Sequence, residues 1–183
     1  MTDLWLAPHN DDETLFGSFT ILRERPMVII CLKSQVQEDR GGPTADTREK
    51  ETQSALWWLG QPTWKQLTTL DTDYAVMADR LLDDFETLDY VHAPERIWAP
   101  AFEAGGHDQH NLVAFAAAAV WGMKVQPYLT YVRGSMRTRG TQVPFEPSWV
   151  YSKMRALCCY RSQIELDATR PWFMDDTLRE YVP

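Results

Sequence analysis

Lysine and arginine are in deficit: 18 of them stand against 26 aspartates and glutamates, giving a formal net charge of -8 and a pI near 5.0. A protein that binds by neutralising phosphates presents clustered Lys and Arg, so nucleic acid is excluded as the primary ligand. The one cationic stretch, Arg133, Arg137 and Arg139, reads either as a local anion contact or as a solvated loop. Cysteine is scarce as well. Cys31, Cys158 and Cys159 are odd in number, form no Cys-x-x-Cys pair, and the adjacent two resist bridging to each other, so a reducing cytoplasm is the expected setting. No apolar run approaches the ~20 residues that a membrane span needs, and the first residues lack the basic and apolar regions of a secretion signal. Repeats, low-complexity segments and composition breaks are absent too, and residues 1–183 are expected to form a single domain around one core. No Gly-x-Gly-x-x-Gly follows the first strand-like segment, and acidic residues stand where a pyrophosphate would bind, which removes support for a nicotinamide-dependent oxidoreductase.

What is present alternates between strand-like and helix-like segments. Residues 4–7 are an apolar run stopped by Pro8, and Leu15, Phe16, Phe19 and Leu22 then recur at helical spacing from Thr14 onward. Residues 27–32 are rich in β-branched side chains and read as a second buried strand. A loop over 38–43 precedes a helix over 44–58, with Gly60 suited to a left-handed cap. Further strands are expected near 65–70, 96–99 and 124–132, and further helices near 74–88, 111–121 and 153–163. This alternation predicts an α/β layered fold, in which ligands bind outside the carboxyl ends of the strands.

Two polar clusters fall at such ends. Of four histidines in the chain, three (His9, His107 and His110) sit in these clusters, and His92 stands apart as a surface or packing residue. Imidazole and carboxylate are good zinc ligands, and a catalytic site uses three protein ligands with a fourth position open. His9, Asp12 and His110 supply that set. Asp11, next to Asp12 in sequence, must point elsewhere, which makes it the candidate general base for a water made acidic by the ion. Residues 10–13 also suit a plain helix cap, since acids favour a helix N-terminus. His107 is open to two readings: a protonated group that stabilises an oxyanion or protonates a leaving amine, or a residue that only orients His110.

These residues resemble the motifs of the PIG-L, or LmbE-like, family of metal-dependent N-acetylglucosamine-type deacetylases. The first family motif, Ala-His-Pro-Asp-Asp-Glu after a first strand, is matched by Ala7-Pro8-His9-Asn10-Asp11-Asp12-Glu13, with Asn10 in place of the usual proline and Pro8 ahead of the histidine. The second, His-x-x-His after a glycine-containing loop, is matched by Gly105-Gly106-His107-Asp108-Gln109-His110. Arg48-Glu49-Lys50-Glu51 through Leu59-Gly60 resembles the family's Arg-x-x-Glu helix ending in Leu-Gly, and residues 153–163 resemble its late helix ending in Ser-Gln. The resemblance implies a Rossmann-like three-layer sandwich with a central, mainly parallel sheet. It assigns His9, Asp12 and His110 to the metal, Asp11 and His107 to catalysis, and Arg48 and, more weakly, Asp71 to the substrate. Arg48 equally suits a salt bridge to a nearby acid.

The expected ion is Zn2+, and the same donor set also suits Fe2+. The expected reaction is hydrolysis of an acetamide on a small N-acetylated sugar or sugar conjugate. Two other readings keep the metal: an amidase acting on a different small-molecule amide, and a non-catalytic module that binds a sugar or nucleotide. Trp98 and Trp149 are placed suitably for stacking on a sugar ring, while Trp57 and Trp58 read as packing residues.

Overall fold

The structure, a computed structural model, describes residues 2–35, 42–130, 140–166 and 180–183. Its centre is a five-stranded sheet built from β1 (Leu4–Ala7), β2 (Met27–Ile30), β3 (Trp64–Gln66), β4 (Ile97–Pro100) and β5 (Val125–Tyr128). The strand order is β3-β2-β1-β4-β5 and every pairing is parallel. All residues of β1, β2 and β4 are buried, which is why these strands read as continuous apolar runs: crossover helices cover both faces of a parallel sheet. Among the described residues the α-helices are α1 (Asp12–Glu24), α2 (Ala45–Trp58), α3 (Tyr74–His92), α4 (Asp108–Trp121), α5 (Pro147–Leu157) and the short α6 (Arg161–Ile164). An antiparallel pair, β6 (Thr141–Gln142) with β7 (Tyr181–Val182), lies outside the main sheet.

Side-chain alternation along the strands divides the core into two halves. Leu4, Leu6, Ile29, Ile97 and Ala99 pack with Met77, Leu81 and Phe85 of α3 and Val113 and Ala117 of α4. Trp5, Ala7, Val28, Ile30 and Trp98 pack on the opposite face with Leu15 and Phe16 of α1, Leu56 of α2 and Leu157 of α5. The result is the expected α/β three-layer sandwich, here with an entirely parallel five-stranded sheet. Among the described residues no helix is long and apolar enough to cross a membrane.

The elements differ from the sequence expectations mainly at their ends. Helix α1 begins at Asp12 rather than 14, and α4 at Asp108 rather than 111, so both polar clusters run into first helical turns. The expected late helix over 153–163 is instead α5 and α6 with a break at Cys158 to Tyr160. There Tyr160 is fully buried, its hydroxyl drawn to Glu13 and Thr52, and this fixes the chain between the two helices. Strand β3 is shorter than expected, continued only by an isolated bridge between Lys33 and Leu70. Arg133, Arg137 and Arg139, the last residues of the expected strand over 124–132, and most of the expected loop over 38–43 lie outside the described residues. Trp98 is a core residue 6.4 Å from Trp5, ring centre to ring centre, and is not presented for stacking on a ligand.

Helix α1 crosses β1 at Gly17, where an added Cβ would stand 2.5 Å from two ring carbons of Trp5. That indole is 1% exposed and stacked 4.3 Å from Tyr128, so it has no room to retreat. Gly17→Ala therefore adds an overpacking cost near the top of the ~1–3 kcal/mol range, against ~1 kcal/mol gained from alanine's helix propensity. The urea midpoint is expected to fall; an unchanged or higher midpoint would contradict this packing.

Candidate metal centre and active site

Between β1 and β4 the sheet changes direction: the chain builds outward from β1 through β2 to β3, then returns to build β4 and β5 on the other side. Connections leave such neighbours in opposite directions, and the crevice that opens is where α/β folds place ligands. The turn after β1 and the segment after β4 meet there.

The first turn is closed by its own polar side chains. The His9 amide donates to Asp12 Oδ2 at 2.8 Å, and Asp11 caps α1 with φ 115°, a conformation that non-glycine residues rarely adopt. Such a residue costs about 1–3 kcal/mol and persists only where its surroundings hold it. Here the Asp11 amide donates to Glu13 Oε2 at 3.0 Å, while its carbonyl accepts from the amides of Thr14 and Leu15 at 2.9 and 2.8 Å. Glu13 is held in turn by the Thr14 hydroxyl at 2.7 Å and by the Tyr160 hydroxyl. Arg48 of α2 donates to the Asn10 carbonyl and to Asp11 Oδ2, the latter at 3.0 Å. The adjacent aspartates are thereby turned apart, Asp12 toward the histidines and Asp11 toward Arg48.

The Asp11 side chain makes no capping hydrogen bond, so its carboxylate is not engaged as a helix cap. His107 does cap: it precedes α4 and its Nδ1 accepts from the Gln109 amide at 3.3 Å. One turn on, His110 is 1% exposed with Nδ1 3.2 Å from the Thr130 hydroxyl. Its Nε2 lies 3.2 Å from Asp12 Oδ2, the same oxygen that His9 Nδ1 approaches at 3.2 Å. Ligand atoms of His9, Asp12 and His110 all fall within 4.8 Å of one another.

This donor set fits a divalent ion on chemical grounds. A neutral imidazole that directs a lone pair at a carboxylate oxygen is repelled by it unless a proton or a cation stands between them, and two rings face one oxygen here. His107 completes the group, with its ring centre 5.3 Å from that of His9 and 5.0 Å from that of His110.

Burial sets the electrostatics. It raises the Asp11 carboxyl to about 8, assisted by the charges of Asp12 and Glu13 and opposed by Arg48. Burial also works against ionisation of Asp12, but the charge and hydrogen bond of His110, with those of His9, hold it well below the usual carboxylate range. For His9 burial disfavours the cation, yet the hydrogen bond and charge of Asp12 outweigh it and its pKa is raised. His107 is pushed down to about 4 by burial and by the charges of His9 and His110. That shift favours the neutral imidazole of His107 near pH 7.

Of the residues singled out in the sequence, His9, Asp11, Asp12, Arg48, His107 and His110 come together. Arg48 is 2% exposed and makes a buried ion pair with Asp11. The Asp71 carboxylate accepts from the Gln35 amide at 2.5 Å and joins the segments after β2 and β3. Four partners went unrecognised. Gln109 reaches His9 Nε2 at 2.6 Å, Thr130 reaches His110, and Glu13 with Tyr160 supports the Asp11 turn. Asn10, the departure from the family's proline, buries its amide against Thr52 at 2.8 Å and Gln66 at 3.2 Å. Asn10, Glu13 and Gln109 lay inside the two histidine-containing motifs and Tyr160 inside the late helix, but their residue types gave no sign of these partners; Thr130 lay in no motif.

Neither a scan against protein-family models nor a search of curated proteins finds a match to this chain. Solved structures do match. The zinc-inhibited form of teicoplanin deacetylase superimposes with a TM-score of 0.74 at 16% identity, over 96% of this chain and 90% of that one. For N,N'-diacetylchitobiose deacetylase from Pyrococcus horikoshii the TM-score is 0.68 at 18% identity, over 93% and 73%. The 4-carboxy-2-hydroxymuconate hydratase from Pseudomonas putida matches with 0.58 at 12% identity, over 95% and 83%. The chain has the fold of these deacetylases, the fold that its resemblance to the PIG-L family implied. The hydratase shows that this fold also houses other chemistry, so the site must carry the functional argument.

The raised pKa values of Asp11 and His9 make cation binding a proton-releasing event. Without an ion Asp11 holds its proton at pH 7, and a cation beside it favours the carboxylate; His9 must likewise give up a proton. Zinc affinity is expected to climb as pH rises toward about 8, by up to about tenfold per pH unit for each proton displaced, and to flatten above it as Asp11 loses its proton unaided. Calorimetric titration in buffers of different ionisation enthalpy reads the protons released, and a pH-independent affinity would contradict the assignment.

Proposed function

We propose that the chain is a metal-dependent N-deacetylase that hydrolyses the acetamide of an N-acetylated amino sugar or sugar conjugate. The observation that carries this reading is the convergence of His9, Asp12 and His110 beside an acid, Asp11, that is turned away from them. The fold shared with two deacetylases supports it. We assign the ion as Zn2+, with Fe2+ suited to the same donors. A divalent ion bound there supplies Lewis acidity, which acidifies water and polarises an amide carbonyl.

Asp11 is the general base. Burial holds its carboxyl at about 8 while no cation is present, a bound cation would favour the carboxylate that accepts a proton, and Arg48 orients that carboxylate and opposes the upward shift. As the water oxygen attacks the acyl carbon, Asp11 takes a proton from that water. It returns the proton to nitrogen as the carbon–nitrogen bond breaks, and the products are acetate and a free amine. His107, with Nδ1 accepting from the Gln109 amide, carries its proton on Nε2 and offers it to the developing oxyanion as a neutral donor. Substrate contacts by Arg48, which also holds Asp11, and by Asp71, which also holds the Gln35 amide, belong to the same proposal. The setting we propose is the cytoplasm, which suits three cysteines that are all free.

Zinc-loaded protein offered a panel of N-acetylated sugars and conjugates is expected to release acetate, identified by mass with the matching amine. Asp11→Asn should lower turnover by about 10²–10⁴-fold while zinc stoichiometry stays unchanged. Release of a different acid would move the assignment to another amide, and turnover that survives Asp11→Asn would remove the general base from the scheme.

A further inference from the structure

The Gln109 side chain has no part in the chemistry above, yet with its amide already on His107 this residue touches two of the three clustered imidazoles. It is the second residue of α4, immediately before His110, and its side-chain carbonyl reaches His9 Nε2 at 2.6 Å across a sequence separation of 100 residues. A carbonyl oxygen only accepts, so this hydrogen bond requires a proton on Nε2. In the neutral ring the lone pair is then on Nδ1, the atom that stands 3.2 Å from Asp12 Oδ2. The opposite tautomer would leave a proton on the atom facing Asp12 and two acceptors facing each other at Gln109. His110 is held differently, by the Thr130 hydroxyl, which can donate or accept and so selects no tautomer alone. The backbone amide of Gln109 meanwhile donates to His107 Nδ1 at 3.3 Å.

We propose that Gln109 is a positioning residue that sets two tautomers at once: its side chain commits His9 to present Nδ1 to the cation, and its amide leaves His107 with a proton on Nε2. The proposal rests on the metal reading above and deepens it. A partner that accepts from the outer nitrogen of a ligating histidine fixes the ring and raises its basicity, and a carboxylate does so more strongly than a neutral amide. Gln109 therefore gives orientation with no added charge. A glutamate there should keep the orientation and strengthen the ligand; a leucine of similar size should remove both.

The test uses zinc as the probe, with the wild-type protein, Gln109→Leu and Gln109→Glu. Affinity is measured by competition with a chromophoric chelator. The protonation of each imidazole nitrogen is read by 15N correlation spectra at alkaline pH, with and without zinc. Wild type is expected to show His9 protonated on Nε2 and zinc shifting its Nδ1. Gln109→Leu should bind zinc about 10–100-fold more weakly and lose the Nε2–H preference at His9, whereas Gln109→Glu should retain the tautomer and bind as tightly as wild type or more so. Unchanged affinity and tautomer in Gln109→Leu would overturn the proposal, as would a zinc shift on His9 Nε2. If Gln109→Leu does not fold, weaker zinc binding or a lost Nε2–H signal in Gln109→Glu overturns it. Wild-type protein that binds no zinc refutes the metal reading instead, and the ion-free spectrum of His9 still decides what Gln109 does.

Discussion

Leu4 pairs with Ile97 and Trp5 with Trp98 across two neighbouring parallel strands, and the Leu4 amide donates to the Arg96 carbonyl at 3.0 Å. That pairing of β1 with β4 places two distant stretches of chain side by side at the carboxyl ends of the central strands, where the strands' connections part. His9 and Asp12 leave one strand and His110 follows the other, so the register of the pair sets how closely imidazole and carboxylate approach. The apolar faces on both sides of these strands hold that register, since slipping by one residue would exchange Leu4 and Leu6 with Trp5 and Ala7 between two different cores.

The turn built on this frame is under local tension and is heavily braced. Asp11 at φ 115° and the three consecutive acids Asp11, Asp12 and Glu13 would each be costly in isolation. Each has its own partner instead: Arg48 for Asp11, the histidines for Asp12, and Tyr160 with Thr14 for Glu13. One turn further along α1, a second buried ion pair is set into the helix. Lys153 Nζ donates to the Leu15 carbonyl at 2.8 Å and to Glu180 at 2.9 Å, and Glu180 accepts from the Phe19 amide. Buried pairs of this kind add little net stability over apolar packing, but removing one partner leaves an uncompensated charge. They fix where α1 sits, and with it the direction in which Asp12 points.

The sheet and its helices were legible because burial on both faces forces runs such as residues 27–30 to be apolar throughout, and because Leu15, Phe16 and Phe19 repeat at helical spacing. Helix starts were less legible: polar residues 12, 13 and 108–110 belong to helices by backbone geometry but carry no apolar period. The cluster itself could be read from His9, Asp12, His107 and His110, since few other residues combine those donors at strand ends. What supports it could not. Gln109, Thr130 and Tyr160 are ordinary polar residues whose partners are set by the fold, and only the three-dimensional arrangement joins Tyr160 to Glu13 across 147 positions. Arg48 was visible as a cation on a helix, but its burial against Asp11 depends on how α2 lies over the turn.

The central claim is that one cation lies among His9 Nδ1, an Asp12 carboxylate oxygen and His110 Nε2. Crystals grown without chelator and soaked in zinc test it directly through an anomalous difference map recorded at the zinc edge. The account predicts one strong peak at about 2.0–2.2 Å from each of those three atoms. A map with no peak there, or with zinc held by other residues while the three side chains stand apart, would contradict it.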